Sequence, residues 1–310
     1  MMFSRAVVTG SEGFIGGHLV DYLLSSGVEV LGIDDMSSGL MSTYESHLSH
    51  KNYVGKLIPI TDNRIGGVFL DFKPEIVFHL AAKSGVTPSV LDPTFSDFTN
   101  VNGSVNLLEA SKESGVKRFI FSSSSSIYGG SENIPTKESE APNPQSPYAL
   151  QKLTVENYCK LFHKLYGLES ISLRYFNIFG PRQRSDSSYA AVIAAFADAE
   201  KNGLQPNIYG SGEQFRDFTY VKNVVNANFL AATTKRVLSG ESVNIGCGGT
   251  ISINALCNAI CSKNPEYLDK RAGDVFCSQA DISYANEIIG YTPKWTFQQG
   301  LRDTLDWYAL

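Results

Sequence analysis

Three glycines separated by pairs of residues, Gly10-Ser-Glu-Gly13-Phe-Ile-Gly16, constrain this chain more than any other feature. They follow the apolar run Arg5-Ala-Val-Val-Thr9 and open Phe14 to Leu24, where apolar residues recur at helical spacing. In that setting glycines allow a tight turn, close approach of backbone to a pyrophosphate, and packing of helix on sheet. The helix start adds free N–H donors and the positive end of its dipole. A bare glycine-rich loop would be weak evidence. Here the next strand, Val28 to Ile33, ends in Asp34-Asp35, so strand, helix and acidic residue together predict a dinucleotide site. A carboxylate at Asp34 accepts from a ribose 2′-hydroxyl and repels a 2′-phosphate. Asp35-Met36-Ser37 supplies no arginine to reverse that preference, which favours NAD over NADP.

The rhythm of strand and helix continues through Glu75 to Leu80, a helical stretch from Val101 to Ser114 closed by Gly115, and Arg118 to Ser122. Such alternation predicts an α/β fold with a Rossmann-type, doubly wound parallel sheet. Its ligands lie at the carboxyl ends of the strands, where Gly10, Asp34, Ala81 and the serine run after Phe121 fall. Pro135 to Pro147 reads as a loop, and Pro147 suits the first turn of a helix beginning near Tyr148. After Arg174-Tyr-Phe-Asn177 the rhythm weakens, and Ile178 to Asp186 is rich in Gly, Pro and Arg. Two domains are expected: residues 1–177 for the dinucleotide, and 178–310 as a smaller α/β substrate lobe, part of which returns to the first domain.

Several function classes fall away on composition. With 310 residues and 43% hydrophobic positions the chain can bury a full core. A net charge of −5 argues against a nucleic-acid partner. The best apolar run, Tyr189 to Ala197, falls far short of the roughly 18 residues of a membrane helix. The N-terminus runs straight into a strand, without signal-peptide layout, and a cytoplasmic protein is expected. Five cysteines contain no CxxC pair, so neither zinc nor a disulfide framework is expected, and Cys257 and Cys261 read as core. His47-Leu-Ser-His50 has metal-ligand spacing but no third ligand and reads as a surface helix; no metal is expected.

Tyr148-Ala-Leu-Gln-Lys152 carries the chemistry. A tyrosine and lysine four apart share a helix face, so phenol and ammonium can meet. A cation about 4 Å from the phenol, at an effective dielectric of 20, is worth roughly 4 kcal/mol toward its ionisation. That shift would make Tyr148 a general base near neutral pH. The motif alone is common by chance. Its place after the proline loop, downstream of Phe121-Ser-Ser-Ser124, gives it meaning.

At this point the chain resembles the extended short-chain dehydrogenase/reductase family, and within it the nucleotide-sugar 4-epimerases. Beside the two motifs, the resemblance is carried by His79-Leu-Ala-Ala82, Asn100-Val-Asn-Gly103, Tyr128-Gly129, Arg174-Tyr-Phe-Asn177, Gly212-Glu-Gln-Phe-Arg-Asp-Phe218 and Arg271-Ala-Gly-Asp274, and it spans essentially the whole chain. It implies bound NAD, held by Gly10, Gly13, Phe14, Ile15, Gly16, Asp34, Asp35, Ser37, Ala81, Ala82, Asn100, Tyr148, Lys152 and Tyr175. Tyr148 is implied as the base at the sugar 4-hydroxyl. Ser124, with Ser123 close by, would relay the proton, and Lys152 would lower the Tyr148 pKa and grip the nicotinamide ribose. A UDP-sugar would be held by Ser84, Ser124, Tyr148, Asn177, Val192, Tyr209, Arg216, Arg271, Asp274 and Ser278, the two arginines at its pyrophosphate. A homodimer built through helices such as Val101–Ala110 and Leu153–Leu165 is also implied. Where the family has Asp-Ile-x-Asp, this chain has Pro59-Ile-Thr-Asp62, leaving Ile60 or Asp62 to touch the adenine, or in another register Gly55-Lys56-Leu57.

The reaction is chosen among relatives. Dehydratases and decarboxylases of the family usually carry an acid just after the catalytic Ser or Thr, whereas Ser125 and Ser126 stand here. That favours 4-epimerisation of a UDP-hexose over a UDP-glucuronate 4-epimerase or decarboxylase. Non-catalytic relatives would be expected to lose the tyrosine, lysine or glycines, and none is lost. Ser278, four after Asp274, falls where a tyrosine would restrict the enzyme to UDP-glucose and UDP-galactose. A small residue there leaves room for an N-acetyl group, so UDP-GlcNAc and UDP-GalNAc are expected substrates.

Overall fold

The computed structural model describes residues 3–185, 191–270 and 275–310. Seven parallel strands form its central sheet: β1 (Arg5–Thr9), β2 (Glu29–Asp34), β3 (Tyr53–Leu57), β4 (Ile76–His79), β5 (Arg118–Ser124), β6 (Glu169–Tyr175) and β7 (Ser239–Ile245). Their spatial order is β7-β6-β5-β4-β1-β2-β3. The order reverses between β1 and β4, which pair from Ala6↔Ile76 to Thr9↔His79. At such a switch point neighbouring connections leave toward opposite faces and open a crevice at the strands' carboxyl ends.

Alternation along each strand distributes the core to both faces. Ala6, Val8, Val30 and Phe78 pack on one side with α1 (Phe14–Ser25) and α6 (Val221–Thr233). Val7, Leu31, Val77 and Phe119 pack on the other with α3 (Ile65–Phe72), α4 (Gly103–Ser114) and α5 (Pro147–Tyr166). Strands covered on both sides read as the continuous apolar runs seen in the sequence. The helix α2 (Met41–Leu48) lies beside β3, at the edge of the sheet. The expected sheet is thus present, and its last strand, β7, comes from residues beyond 178.

A separate apolar cluster gathers Phe179, Ile193, Phe196, Ile208, Phe218, Tyr220 and Leu256. It is covered by short strands, including Phe215–Arg216 between Ile251–Ser252 and Cys277–Ser278, and by the helices Val192–Lys201, Ile253–Ile260 and Phe297–Tyr308. Among the described residues, no helix is long and apolar enough to cross a membrane.

Candidate active site

A cavity of about 1400 Å³ opens at the carboxyl ends of the strands. That exceeds the roughly 300–1,000 Å³ of a single small-ligand pocket and leaves room for two ligands side by side.

Its first half is built by the glycine loop. A Cβ at Gly16 would stand 1.9 Å from the Gly10 carbonyl oxygen, and Gly10 itself has φ +69°. These two positions accept glycine alone, and through them the chain turns tightly from β1 into α1. No side chain caps α1 at Gly13, so its first N–H groups face the cavity wall formed by Gly13, Phe14, Ile15 and Gly16. Asp34 ends β2 in the same wall; its Oδ2 accepts from Glu12 N at 3.0 Å and its Oδ1 from Met36 N at 2.8 Å. Burial pushes the Asp34 carboxyl upward, against those two bonds. Uncapped N–H donors followed by a fixed carboxylate fit the pyrophosphate and ribose of a dinucleotide.

Asp35, Ser37, Ala81, Ala82 and Ser84 also line the cavity. Asp35 receives Lys83 Nζ at 3.1 Å, a cation from 48 positions away that the local sequence around Asp35 does not disclose. Lys83 lines the cavity too and was missed by motif reading; its place in the stretch after β4 was the available signal. Asn100 departs from expectation. It is absent from the cavity wall. Its Oδ1 accepts Lys83 N at 2.8 Å, and its Nδ2 donates to Lys83 O at 3.0 Å and Gln151 Oε1 at 2.8 Å, so it braces the loop that carries Lys83. Of the segment expected at the adenine, Pro59, Ile60 and Thr61 line the cavity. Asp62 turns away and accepts from Arg64 N at 2.8 Å and Arg64 Nε at 2.9 Å.

The expected catalytic residues lie where β5 meets α5. Ser146 caps α5 by accepting from Ala149 N at 3.2 Å, and Pro147 fills the first turn, placing Tyr148 at the cavity. Tyr148 is half-buried and lines the cavity together with Ser124, whose hydroxyl is near enough to favour the ionised phenol. Ser123 is corrected: although it borders the cavity, its Oγ donates to Glu156 Oε1 at 2.5 Å. Lys152, one turn beyond Tyr148, donates from Nζ to Ser122 O at 2.7 Å and lies 5.7 Å from the Tyr148 ring centroid.

The electrostatics differ from the expectation of a lysine-depressed phenol. Burial pushes Tyr148 up to about 12, with only the nearby Ser124 opposing it. Burial likewise pushes Lys152 down to about 7, opposed by the charge of Glu156. The protein's own groups therefore hold Tyr148 protonated, because desolvation outweighs a cation bonded to a carbonyl rather than to the phenol. Tyr175 lines the cavity, but its hydroxyl is directed to Ser122 Oγ at 3.1 Å and Asn228 Nδ2 at 2.8 Å.

The second half of the cavity carries Asn177, Arg216 and Ser278. Asn177 turns the chain out of β6 with φ +28°, a conformation asparagine tolerates better than most residues. Its Nδ2 reaches Asp217 O and Ser278 Oγ, both at 3.3 Å. Arg216 donates to Phe215 O at 2.8 Å and Phe276 O at 3.2 Å, and stands in the wall shared with a neighbouring cavity of about 240 Å³. Val192 and Tyr209 line that smaller cavity rather than the main one. Arg271 and Asp274 lie outside the described residues. Motif reading quoted Asp217 without a role. Its buried carboxylate accepts from Cys247 N (2.8 Å), Gly248 N (2.9 Å) and Ala280 N (3.1 Å), and its own N–H donates to Ser278 O at 2.7 Å, fixing the strand that holds Ser278.

The fold and this cavity place the chain among enzymes that work on a bound substrate beside a dinucleotide. The NAD dependent epimerase/dehydratase family matches residues 6–246, and the chain belongs to that family. A UDP-glucose 4-epimerase of Mycolicibacterium smegmatis is 36% identical over 310 residues, covering 98% of each chain. The solved UDP-N-acetylglucosamine 4-epimerase of Methanobrevibacter ruminantium, in complex with UDP-N-acetylmuramic acid, superposes with a TM-score of 0.94 at 41% identity, over 100% of this chain and 99% of that one. A UDP-glucuronic acid 4-epimerase of Bacillus cereus, solved with UDP-glucuronic acid and NAD, gives 0.90 at 30% identity, over 98% and 99%. These three relatives carry the names of 4-epimerases of different UDP-sugars.

Proposed function

We propose that this chain interconverts the C4 epimers of a UDP-hexose through a transient 4-keto sugar, with UDP-GlcNAc/UDP-GalNAc as well as UDP-glucose/UDP-galactose within its range. The observation that carries the reading is the Ser124–Tyr148 pair, one helical turn from Lys152, standing between the two halves of one large cavity. The loop of Gly10, Gly13 and Gly16 would hold the pyrophosphate of NAD, Asp34 its adenosine ribose and Lys152 its nicotinamide ribose. When bound, NAD supplies the acceptor and later the donor of the C4 hydride, together with a positive ring that favours the phenolate. Tyr148 takes the proton of the sugar 4-hydroxyl and returns it; Ser124 holds the same oxygen. Asn177, Arg216 and the neighbouring Val192 and Tyr209 are proposed to hold the UDP moiety, with Arg271 and Asp274 assigned to it on the resemblance alone.

Two features narrow the substrate. Ser125 and Ser126 supply no acid for elimination. Ser278 faces the cavity with a small hydroxyl, where a larger ring would crowd the sugar. We assign the apolar cluster around Phe179 to the substrate lobe. A second copy of the chain is proposed to cover the exposed stripe of Leu150, Leu161 and Leu165 on α5.

The test is to incubate purified protein, without added NAD, with UDP-glucose, UDP-GlcNAc and UDP-glucuronate separately, and to identify products by NMR. UDP-GalNAc from UDP-GlcNAc supports the reading. Turnover of UDP-glucuronate alone, or a decarboxylated product, contradicts it.

A further inference from the structure

The segment set aside as a surface helix holds a buried cation. His47, on α2, is 2% exposed, and both of its ring nitrogens face carboxylates. Nδ1 lies 3.0 Å from Glu12 Oε2 and Nε2 lies 3.1 Å from Asp21 Oδ1. A neutral imidazole donates from one nitrogen only, which would leave the other nitrogen's lone pair facing a carboxylate lone pair. Glu12 accepts from Ser11 Oγ at 2.9 Å and from the Tyr53 hydroxyl on Oε1, which leaves its Oε2 to face the ring. The ring is therefore an imidazolium. Beyond it, Asp21 Oδ2 meets Arg182 at 2.7 Å, completing a row of alternating charge: Glu12, His47, Asp21, Arg182.

The two ends of this row are what matter. Glu12 is the second variable residue of the glycine fingerprint, and its backbone N–H is one of the two donors that fix Asp34. Its carbonyl accepts Leu40 N at 3.1 Å, so the same residue also anchors the entry to α2. Arg182, at the other end, lines the cavity from the segment that leaves Asn177 for the second apolar cluster. Moving Glu12 therefore moves the pyrophosphate loop and the ribose carboxylate together.

We propose that His47 is a positioning residue for the dinucleotide: its imidazolium clamps Glu12 beneath the fingerprint loop and ties that loop, through Asp21, to Arg182 at the mouth of the second half of the cavity. The proposal rests on the dinucleotide assignment of this loop and adds a residue that touches neither ligand.

Among the described residues, the titratable groups facing the ring come from three elements, and Tyr44 lies one turn before it on its own helix. Glu12 faces it from the loop and Asp21 from α1, and Tyr53 of β3 packs at 5.1 Å between ring centroids. Arg182 stands behind Asp21, and His18 donates from Nε2 to Pro181 O at 2.9 Å nearby. On its own helix the charged neighbour is the exposed Glu45. Burial lowers the affinity of His47 for its proton, but the two carboxylates outweigh it and hold its pKa at about 9.

Two measurements test this. In ¹⁵N-imidazole NMR of the NAD-loaded protein at pH 7.5, both His47 nitrogens should carry protons; a ring singly protonated there and titrating near its ordinary value overturns the proposal without any variant. In the second, NAD affinity is measured by calorimetry from pH 6 to 10.5 on protein stripped of cofactor. A charged hydrogen bond of this kind predicts roughly ten-fold weaker binding by His47→Gln at pH 7. The wild type should lose a matching factor as pH rises through about 9, and the variant should lack that step while keeping the one belonging to Lys152. Parallel pH profiles for the two proteins would overturn the clamp. Failure of both proteins to bind NAD at any pH would instead overturn the dinucleotide assignment.

Discussion

Ser123 and Ser124 are neighbours at the end of β5, and strand alternation sends their hydroxyls to different partners. Ser124 meets Tyr148, whereas Ser123 joins Arg174 and Ser242 around the buried Glu156 carboxylate. Ser124→Ala is therefore expected to lower turnover at least ten-fold with little change in denaturation midpoint. Ser123→Ala should do the reverse, costing about 1–3 kcal/mol of stability by depriving a buried acceptor; urea titration and initial rates on both variants separate the two. Tyr148→Phe removes only the phenol oxygen and is expected to reduce turnover by about 10²–10⁴-fold while the protein retains NAD. A variant keeping more than about a tenth of the activity would show that another group is the base. Ser278→Tyr should abolish turnover of UDP-GlcNAc and spare UDP-glucose; equal loss on both would remove Ser278 as the determinant. At this scale the sequence disclosed which residues to look at, because Gly10, Asp34, Tyr148 and Lys152 sit in local motifs. It did not disclose what each side chain touches. Lys83 on Asp35, Ser123 on Glu156 and the Lys152 ammonium on the Ser122 carbonyl are contacts across the fold, and the direction of the Tyr148 shift follows from burial that no spacing encodes.

Elements built from apolar periodicity were the most legible. β1, β2, β4 and β5 fall where apolar runs end in Gly or polar residues, and α5 begins at the Ser146-Pro147 cap. The helix α2 was read as surface because Met41-Ser-Thr-Tyr-Glu-Ser-His47-Leu has few apolar residues to bury. To the packing of Thr43 and Tyr44 its docking adds charge, with partners supplied by the fingerprint loop and α1. This has a pH signature in stability. The folded-state pKa of His47 lies near 9, above the ordinary 6.5, so its stabilisation is complete below about pH 6.5 and disappears as pH rises through 9. Urea denaturation of wild type and His47→Gln should show a stability gap at pH 6 that closes by pH 10. A gap that does not change with pH would mean that the ring holds α2 by packing alone.

For the whole molecule, the switch point between β1 and β4 explains why one cavity can serve two ligands. The glycine loop and the stretch after β4 wall one half, and chain beyond residue 177 walls the other. The parallel sheet was readable from strand rhythm. The interleaving of the later chain was less so, because the short strands around Arg216 and Ser278 carry no periodicity and are set by pairing with distant partners. In the proposed reaction a hydride leaves C4 of the sugar and returns to the same carbon within one site. The most direct measurement uses UDP-GlcNAc deuterated at C4, incubated with the purified protein in ordinary water without added NAD. UDP-GalNAc that retains the deuterium at C4 is the expected product. Loss of the label to solvent, or stoichiometric release of reduced cofactor with a keto sugar as product, would contradict it.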